Sequence, residues 1–273
     1  MNESIKDVIL RRKSVRTFSG EPLRTEDRQK IENFLKTSEN PFGVFVEFRF
    51  LNAKAHKLSS VVIVGAEEYV AAKVSRVPQF EIAYGYSFER FCLFAESLGI
   101  GTVMLAGTLS RRAFEEAMEV QDAEVMPVAS PIGYPADKRS IREKMMRKAI
   151  KADERLPFDT LFFEGSFAQG LLPENAGQFR DALEMLRLAP SAVNKQPWRA
   201  VVCADKVHFY EKKAKARAKD SSDDIHKVDM GIGLAHFDLT LQESGIEGTF
   251  TVEDPGLEAR EPMEYIVTYQ VKH

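Results

Sequence analysis

Cysteine, tryptophan and histidine are all scarce in this chain of 273 residues, which contains two, one and five of them. The two cysteines, Cys92 and Cys203, lie far apart without CxxC or Cys/His spacing, which argues against a disulfide framework and against a structural zinc site. The five histidines are dispersed along the chain. We therefore expect no metal site, and the lack of disulfides is typical of a reducing cytoplasm.

Long apolar runs and excess positive charge are also missing. No stretch reaches about 18 apolar residues, and the opening residues MNESIKDVIL lack the apolar centre of a signal peptide, so we expect a soluble cytoplasmic protein without membrane contact. The net charge of −3 provides no overall positive field for nucleic acid. With 44% hydrophobic residues, the chain can bury the core of one large domain or of two ordinary ones.

Several catalytic motifs are absent. The sequence has no HExxH, no P-loop and no GxSxG, and Gly99-Ile100-Gly101 is followed by Met104 where a dinucleotide fingerprint has its third glycine. His236 falls near the buried face of a predicted helix, where a hydrogen-bonded core histidine is the more common role. No nucleophile or acid–base pair stands out, and we name no catalytic side chain. A cofactor is therefore expected to supply the chemistry.

Hydrophobic periodicity predicts similar elements in the same order in two parts of the chain. In the first part, helices begin at Ser4 and Thr25, strands cover 44–50 and 61–64, a helix over 87–98 ends at Gly99, and an apolar strand covers 99–107. In the second part, a helix covers 179–186, a hairpin 199–210, a helix that ends at Gly245 covers 228–243, and a strand 263–271.

The two parts also share residues. A shift of 146 residues lays Gly85 on Gly231, and it aligns four further pairs: Phe91 on Phe237, Leu93 on Leu239, Gly99 on Gly245 and Ile100 on Ile246. Two amphipathic helices that end in glycine can agree by chance, but the matching order of neighbouring elements favours a duplication. We predict two halves, 1–150 and 151–273. We interpret the charged run over 137–155 between them as a solvated connecting helix without a binding role.

Three segments have the composition of phosphate- or ring-binding loops. RRKSVRTF (11–18) holds four cations and a hydroxyl, which can bind a phosphate, although a solvated basic turn explains it equally well. In APSAVNKQPW (189–198), small residues permit close backbone approach, and Asn194 and Gln196 supply donors and acceptors. A purely structural turn is the alternative there. GIGTVMLAG (99–107) could lie against a flat ring, which alone is a weak signal.

Together with IGYP (132–135), these segments resemble the FMN-dependent nitroreductases over nearly the whole chain. In ordinary members, APSxxNxQPW precedes GLGT and GYP within one short subunit that dimerises. Here it follows IGYP, and the first-half segment SENPFGVF (38–45) keeps only Pro41 of it. This order resembles a smaller branch of the family in which two half-subunits are fused in one chain.

The resemblance implies an α+β, nitroreductase-like fold: two duplicated α/β halves, each with a mostly antiparallel sheet flanked by helices, that form an intramolecular pseudo-dimer. It implies one FMN between the halves, because RRKSVR and GIGT come from the first half and APSAVN from the second. A second site would need a cation cluster near 164–174, where the sequence has none. We therefore expect a monomer to contain the complete site.

The resemblance also assigns roles by motif position. Arg12, Ser14 and Arg16 would bind the phosphate and the pyrimidine side of FMN, Lys13 would contribute its backbone, and a basic residue soon after IGYP would join the phosphate. Lys138, Arg139 and Arg142 all fit that last role. The complete set of implied cofactor-binding residues is Arg11, Arg12, Lys13, Ser14, Arg16, Met104, Leu105, Ala106, Gly107, Lys138, Arg139, Pro190, Ser191, Ala192, Asn194 and Gln196.

The implied activity is a two-step hydride transfer. NADH or NADPH reduces FMN at N5 and leaves, and a small electron-poor acceptor such as a nitroaromatic or a quinone is then reduced. Arg16 would stabilise the anionic reduced flavin, and solvent would protonate the product. Two alternatives stay open: a flavin sensor or store without turnover, and a structural module whose RRKSVR contacts an acidic partner.

Overall fold

The computed structural model describes residues 3–37, 39–213, 224–259 and 262–272. The described helices are α1 (Ile5–Arg11), α2 (Thr25–Thr37), α3 (Phe80–Ser97), α4 (Arg111–Ala117), α5 (Ile141–Ala149), α6 (Phe158–Leu161), α7 (Arg180–Leu188) and α8 (Ile225–Glu243). The described strands are β1 (Val46–Asn52), β2 (Glu68–Ser75), β3 (Gly101–Thr102), β4 (Glu124–Val125), β5 (Ala129–Gly133), β6 (Phe162–Glu164), β7 (Trp198–Cys203), β8 (Lys206–Lys212), β9 (Gly248–Thr251) and β10 (Met263–Val271). No helix in these ranges is both long and apolar enough to span a bilayer.

The strands form two separate sheets. The first has the order β1-β2-β5-β3, with β4 added beside β2, and its pairings are antiparallel. The second has the order β6-β7-β8-β10-β9 and is antiparallel except for the parallel pair β6–β7. Helices cover both sheets, so the predicted α+β architecture of duplicated halves is confirmed. The boundary at residue 150 stays a prediction.

Helices α3 and α8 cross at the centre of the molecule. Most of their residues are buried, because each helix packs against the other and against a sheet. Both end as predicted on a glycine in the left-handed region, Gly99 at φ +73° and Gly245 at φ +74°, where a residue with a Cβ is strained. The predicted helix α7, the β7–β8 hairpin and the strand β10 are confirmed as well.

The predicted strand over 61–64 is wrong. Those residues form a turn in which Val61 is 71% exposed, and the segment joins the chain near Arg16 through single backbone hydrogen bonds. The buried strand is β2, which the sequence analysis missed and which lies between two neighbours in its sheet. The apolar run 99–107 is regular strand only over β3, although Leu105 also pairs with Ala129.

The charged run between the halves is a helix, but it is only partly solvated. Helix α5 is capped by Ser140, and Glu143 on its inner face is 2% exposed. The Glu143 carboxylate accepts hydrogen bonds from the hydroxyl of Thr17 and the backbone N–H of Arg16. This face therefore packs onto the RRKSVRTF segment, which contradicts the interpretation of 137–155 as a purely solvated connection.

Candidate functional site

A cavity of about 320 Å³ lies where the three predicted segments meet. Its wall contains residues from 12–16, from 102–108, from 146–155, from 190–194 and from the first turns of α8. Twelve of the residues implied by the resemblance line it: Arg12, Lys13, Ser14, Arg16, Met104, Leu105, Ala106, Gly107, Pro190, Ser191, Ala192 and Asn194. The fold thus brings segments that are far apart in the sequence together at one site.

One end of the cavity is strongly cationic. Arg12 and Arg16 come from the chain after α1, while Arg147 and Arg155 come from α5 and the segment after it. Burial lowers the pKa of Arg16; the charge of Glu143 opposes this shift, and the charge of Arg147 adds to it. Burial also lowers the pKa of Arg155, with a further contribution from the charge of Arg12. Four guanidinium groups therefore lie close to one another, and the carboxylates of Glu89 and Asp153, which pair with Arg12 and Arg147, offset only part of their charge.

Some of the buried guanidinium nitrogens lack a hydrogen-bond acceptor. Arg16 Nε and Nη1 and Arg12 Nε are buried, and none of them has a hydrogen-bond partner. The guanidinium of Arg155 donates to backbone carbonyls such as those of Leu188 and Ala152. Buried donors without acceptors are costly, so this end is built for an anion that arrives with several oxygens. A phosphate group fits that description, and the site fits a phosphorylated cofactor.

Glu89 reaches the same wall from α3. Its Oε1 atom lies 3.5 Å from Arg12 Nε and 2.7 Å from His236 Nε2, and both Glu89 and His236 are 1% exposed. The other ring nitrogen of His236 lies 3.0 Å from the backbone oxygen of Met185, which can only accept, so Nδ1 carries a proton. His236 is thus a hydrogen-bonded core histidine, as predicted.

The segment 104–107 forms the apolar side of the cavity. Leu105 exchanges two backbone hydrogen bonds with Ala129, at 2.9 and 3.1 Å, which fixes the segment against β5. The backbone N–H groups of Ala106 and Gly107 donate to no other residue in the described ranges. They are therefore free to donate to an acceptor, and both residues line the cavity.

The loop 190–194 is held in a strained shape. Val193 and Asn194 have φ of +44° and +58°, and Ser191 Oγ accepts a hydrogen bond from the backbone N–H of Gln196. The Asn194 amide donates to the backbone oxygens of Lys151 and Glu154. Its side chain therefore fastens the segment after α5 to the loop and is not free for a ligand.

Asp229 of α8 also holds this loop. Both of its carboxyl oxygens accept from the backbone N–H of Ala192, at 2.9 and 3.1 Å, and the residue is 2% exposed. Burial raises the pKa of Asp229 well above its usual value, and the charges of Asp224 and Glu211 raise it further. Sequence reasoning missed this residue because a single aspartate among the mixed residues of α8 gives no motif.

Four implied residues lie outside the cavity. Arg11 is exposed and pairs with Glu3 and Glu96, and Gln196 is buried and accepts from the backbone of Leu156. Lys138 and Arg139 are exposed, and Arg139 pairs with Glu143.

The later residues Arg147 and Arg155 stand at the cationic end instead. A sequence pattern could have predicted this position. Met146 and Ile150 are apolar, lie four residues apart in a charged segment and line the cavity, so they mark the inward face of α5.

The position related to the cavity by the duplication is filled with aromatic side chains. The 146-residue shift lays Met104 on Phe250, whose ring lies 5.5 Å from that of Phe42 and 5.1 Å from that of Tyr269. A Cβ on Gly248 would lie 2.3 Å from the ring of Tyr269. At this equivalent position the first half contributes the large side chain of Phe42. At the cavity itself, the second half contributes the small residues of 190–194.

No group of three or more His, Cys, Asp or Glu side chains in the described parts of the chain could hold a metal ion. Cys92 lines the cavity, but it is fully buried, and burial raises the pKa of its thiol.

Comparisons with known proteins identify the family. The family model described as "Putative TM nitroreductase" matches residues 4–241. A structure described as a putative nitroreductase from Thermotoga maritima has 20% sequence identity and a TM-score of 0.65, and the match covers 99% of this chain and 94% of that one. A nitroreductase family protein from Clostridium novyi has 17% identity and a TM-score of 0.43, with coverage of 50% and 87%. An FMN-dependent nitroreductase from Clostridium difficile has 14% identity and a TM-score of 0.40, with coverage of 49% and 88%.

A search of curated proteins gave no significant match. The family model covers most of the chain, and the similarity to the Thermotoga maritima structure extends over both halves. The protein belongs to the nitroreductase family, in the group that this Thermotoga maritima protein represents, with two half-subunits fused in one chain.

Proposed function

We propose that the chain binds one FMN in the cavity and acts as an NAD(P)H-dependent oxidoreductase that reduces nitroaromatic or quinone-like acceptors. The observation that carries the proposal is the cationic end of the cavity, where buried nitrogens of Arg12 and Arg16 have no hydrogen-bond partner. Family membership adds independent support for an oxidoreductase. The cavity volume of about 320 Å³ lies in the range of small-molecule sites.

Different residues of the chain would bind the phosphate and the ring of FMN. Arg12, Ser14, Arg16 and Arg155 would bind the phosphate, because they line the end where positive charge is concentrated. The backbone N–H groups of Ala106 and Gly107, which line the cavity, would face the N5 edge of the ring. Bound FMN would take hydride from NADH or NADPH and pass it to the acceptor.

The shape of the site favours a monomer. Residues 12–16 and 190–194 lie in one chain and already line one cavity, so no second copy is needed to complete it. Covalent linkage of two halves raises the effective concentration of one for the other.

The test is a flavin titration followed by turnover measurements. The purified chain should bind FMN, and the complex should consume NADH or NADPH when a quinone or a nitroaromatic is added. Arg12→Ala should weaken FMN binding, whereas Arg11→Ala should not, because Arg11 is exposed and paired with Glu3 and Glu96. FMN binding without consumption of reduced nicotinamide would instead indicate a flavin store, and no binding would refute the proposal.

A further inference from the structure

A second space, which we call the basic cleft, adjoins the cationic end of the cavity. It has a volume of about 400 Å³ and is lined mostly by α5 and the segment that follows it. Arg147, Ala152 and Asp153 line both the cleft and the cavity, so the two spaces are neighbours. The other residues that line the cleft are Arg139, Lys144, Lys148, Lys151 and Glu154.

The basic cleft has an excess of positive charge, because five cations line it together with two carboxylates. Three of the cations form ion pairs: Arg139, Arg147 and Lys151. Lys144 and Lys148 are exposed, lie one turn apart on α5 and have no ion pair within the described ranges. The helix dipole accounts for a cation in the last turn, such as Lys148, but not for Lys144.

The wall of the cleft is tied to the wall of the cavity. After α5 the chain turns at Lys151, which has a φ of +50°, and the backbone N–H of Ala152 donates to the carbonyl of Arg147 at 3.0 Å. The side-chain amide of Asn194, a residue that lines the cavity, donates to the backbone oxygens of Lys151 and Glu154. A ligand that extends out of the cavity at this end therefore meets a group of cations that is already in place.

The proposed reductant has a group that suits this position. NADPH differs from NADH only by a phosphate on the adenosine ribose, and a phosphate monoester carries about −1.5 to −2 charges at pH 7. Two riboses and a pyrophosphate separate the nicotinamide from this 2′-phosphate, whereas a ribityl chain alone separates the flavin ring from the phosphate of FMN. A nicotinamide that stacks on the flavin ring can therefore place its 2′-phosphate farther out than the phosphate of FMN, on the side where the cleft adjoins the cavity.

We propose that the basic cleft binds the 2′-phosphate of NADPH, so that the protein uses NADPH in preference to NADH. The inference rests on the proposed function and names the reductant that it leaves open. Lys144 and Lys148 would bind the 2′-phosphate, because no carboxylate competes for them. Their charges would also offset the repulsion between this phosphate and the phosphate of FMN.

The kinetic experiment compares kcat/KM for NADPH and for NADH in the FMN-loaded wild type and in the double variant Lys144→Ala/Lys148→Ala. We expect the wild type to prefer NADPH at least about tenfold, and the variant to lose about tenfold of that preference through a higher KM for NADPH. Its kcat/KM for NADH should stay unchanged. The matched control is Lys36→Ala/Lys54→Ala, which removes the same charge from two exposed lysines that line neither space and should leave the preference intact.

A binding experiment provides a readout that does not depend on turnover. In calorimetry, the wild type should bind adenosine 2′,5′-bisphosphate about tenfold more tightly than AMP, and Lys144→Ala/Lys148→Ala should bind both equally. Equal use of NADH and NADPH by the wild type would overturn the inference but not the proposed function. An equal loss for both nucleotides in the variant would indicate a general effect of surface charge and would overturn the inference as well. A wild type that oxidises neither nucleotide would overturn the proposed function, and the inference with it.

Discussion

Gly85 and Gly231 each lie against the backbone of the opposite helix where α3 crosses α8. A Cβ on Gly85 would lie 2.0 Å from the carbonyl oxygen of Val228, and one on Gly231 would lie 2.1 Å from that of Ile82. The shift of 146 residues that relates the two glycines also relates Ile82 to Val228. The two contacts are therefore equivalent under the duplication.

Replacing either glycine should destabilise the protein. In Gly85→Ala or Gly231→Ala, the new methyl group meets backbone atoms that cannot rotate away, so the helices must move apart. Alanine favours an isolated helix by about 1 kcal/mol, but overpacking at this contact should cost more, with a net loss of about 1–3 kcal/mol in the free energy of unfolding. Urea denaturation measures the loss.

The matched control is Gly233→Ala on α8. A Cβ there would lie 3.3 Å from the Trp198 ring and 3.5 Å from a side-chain carbon of Leu186, distances that small side-chain shifts can relieve. Gly233→Ala should therefore lose less stability than Gly231→Ala. Equal stability of Gly85→Ala and the wild type would contradict the close crossing.

Arg16→Met should change stability and cofactor binding in opposite directions. The substitution removes a buried charge whose pKa is lowered by burial and whose Nε and Nη1 atoms have no partner, so the protein without cofactor should become more stable. The same change removes charge-assisted hydrogen bonds to a phosphate, which are worth about 1.5–3 kcal/mol. Thermal melting without FMN and an FMN titration measure the two effects. A less stable apoprotein would contradict the account of Arg16 as a buried charge that the Glu143 carboxylate offsets only in part.

Asp229 should make stability depend on pH. Because burial raises its pKa in the folded state, the folded protein binds more protons than the unfolded chain between about pH 4, the ordinary pKa of aspartate, and the raised value. The free energy of unfolding therefore falls as pH rises through this window, by up to about 1.4 kcal/mol per pH unit.

Asp229→Asn should remove that part of the pH dependence and still accept the hydrogen bond from Ala192. Relative to wild type, we expect the variant to gain stability between about pH 5 and about pH 8, measured by urea denaturation at both values. Asp7→Asn, which alters an exposed side chain of α1, provides the control. The same difference from wild type at both pH values would exclude a raised pKa at Asp229.

The ratio of FMN to protein should be one per chain in a monomer. The position equivalent to the cavity is occupied by Phe42, Phe250 and Tyr269, and no motif for a second phosphate occurs over 164–174. Size-exclusion chromatography with light scattering and absorbance gives the ratio and the mass together. A ratio near two, or FMN found only in a dimer, would contradict the fused-site hypothesis.

The elements that were predicted correctly are those that local sequence patterns specify. Helices α3 and α8 have apolar residues at helical spacing and glycines at their ends, and the β7–β8 hairpin alternates around Ala204, which has φ of +52°. The prediction of a strand over 61–64 is wrong because its apolar residues are not all buried in a sheet. Val62 is buried against the cavity, while Val61 is exposed.

The sequence by itself determined the family, the duplication and three of the segments that line the cavity, because motifs and hydrophobic periods are local properties of the chain. Only the tertiary structure decided which cations line one end of the cavity. Arg147 and Arg155 belong to a charged run that looks solvated, and they reach the cavity because Glu143 and Asn194 fasten that run to the two halves. The burial of these arginines and their mutual repulsion depend on distances between residues that are far apart in the sequence. Composition and motif spacing therefore cannot predict them.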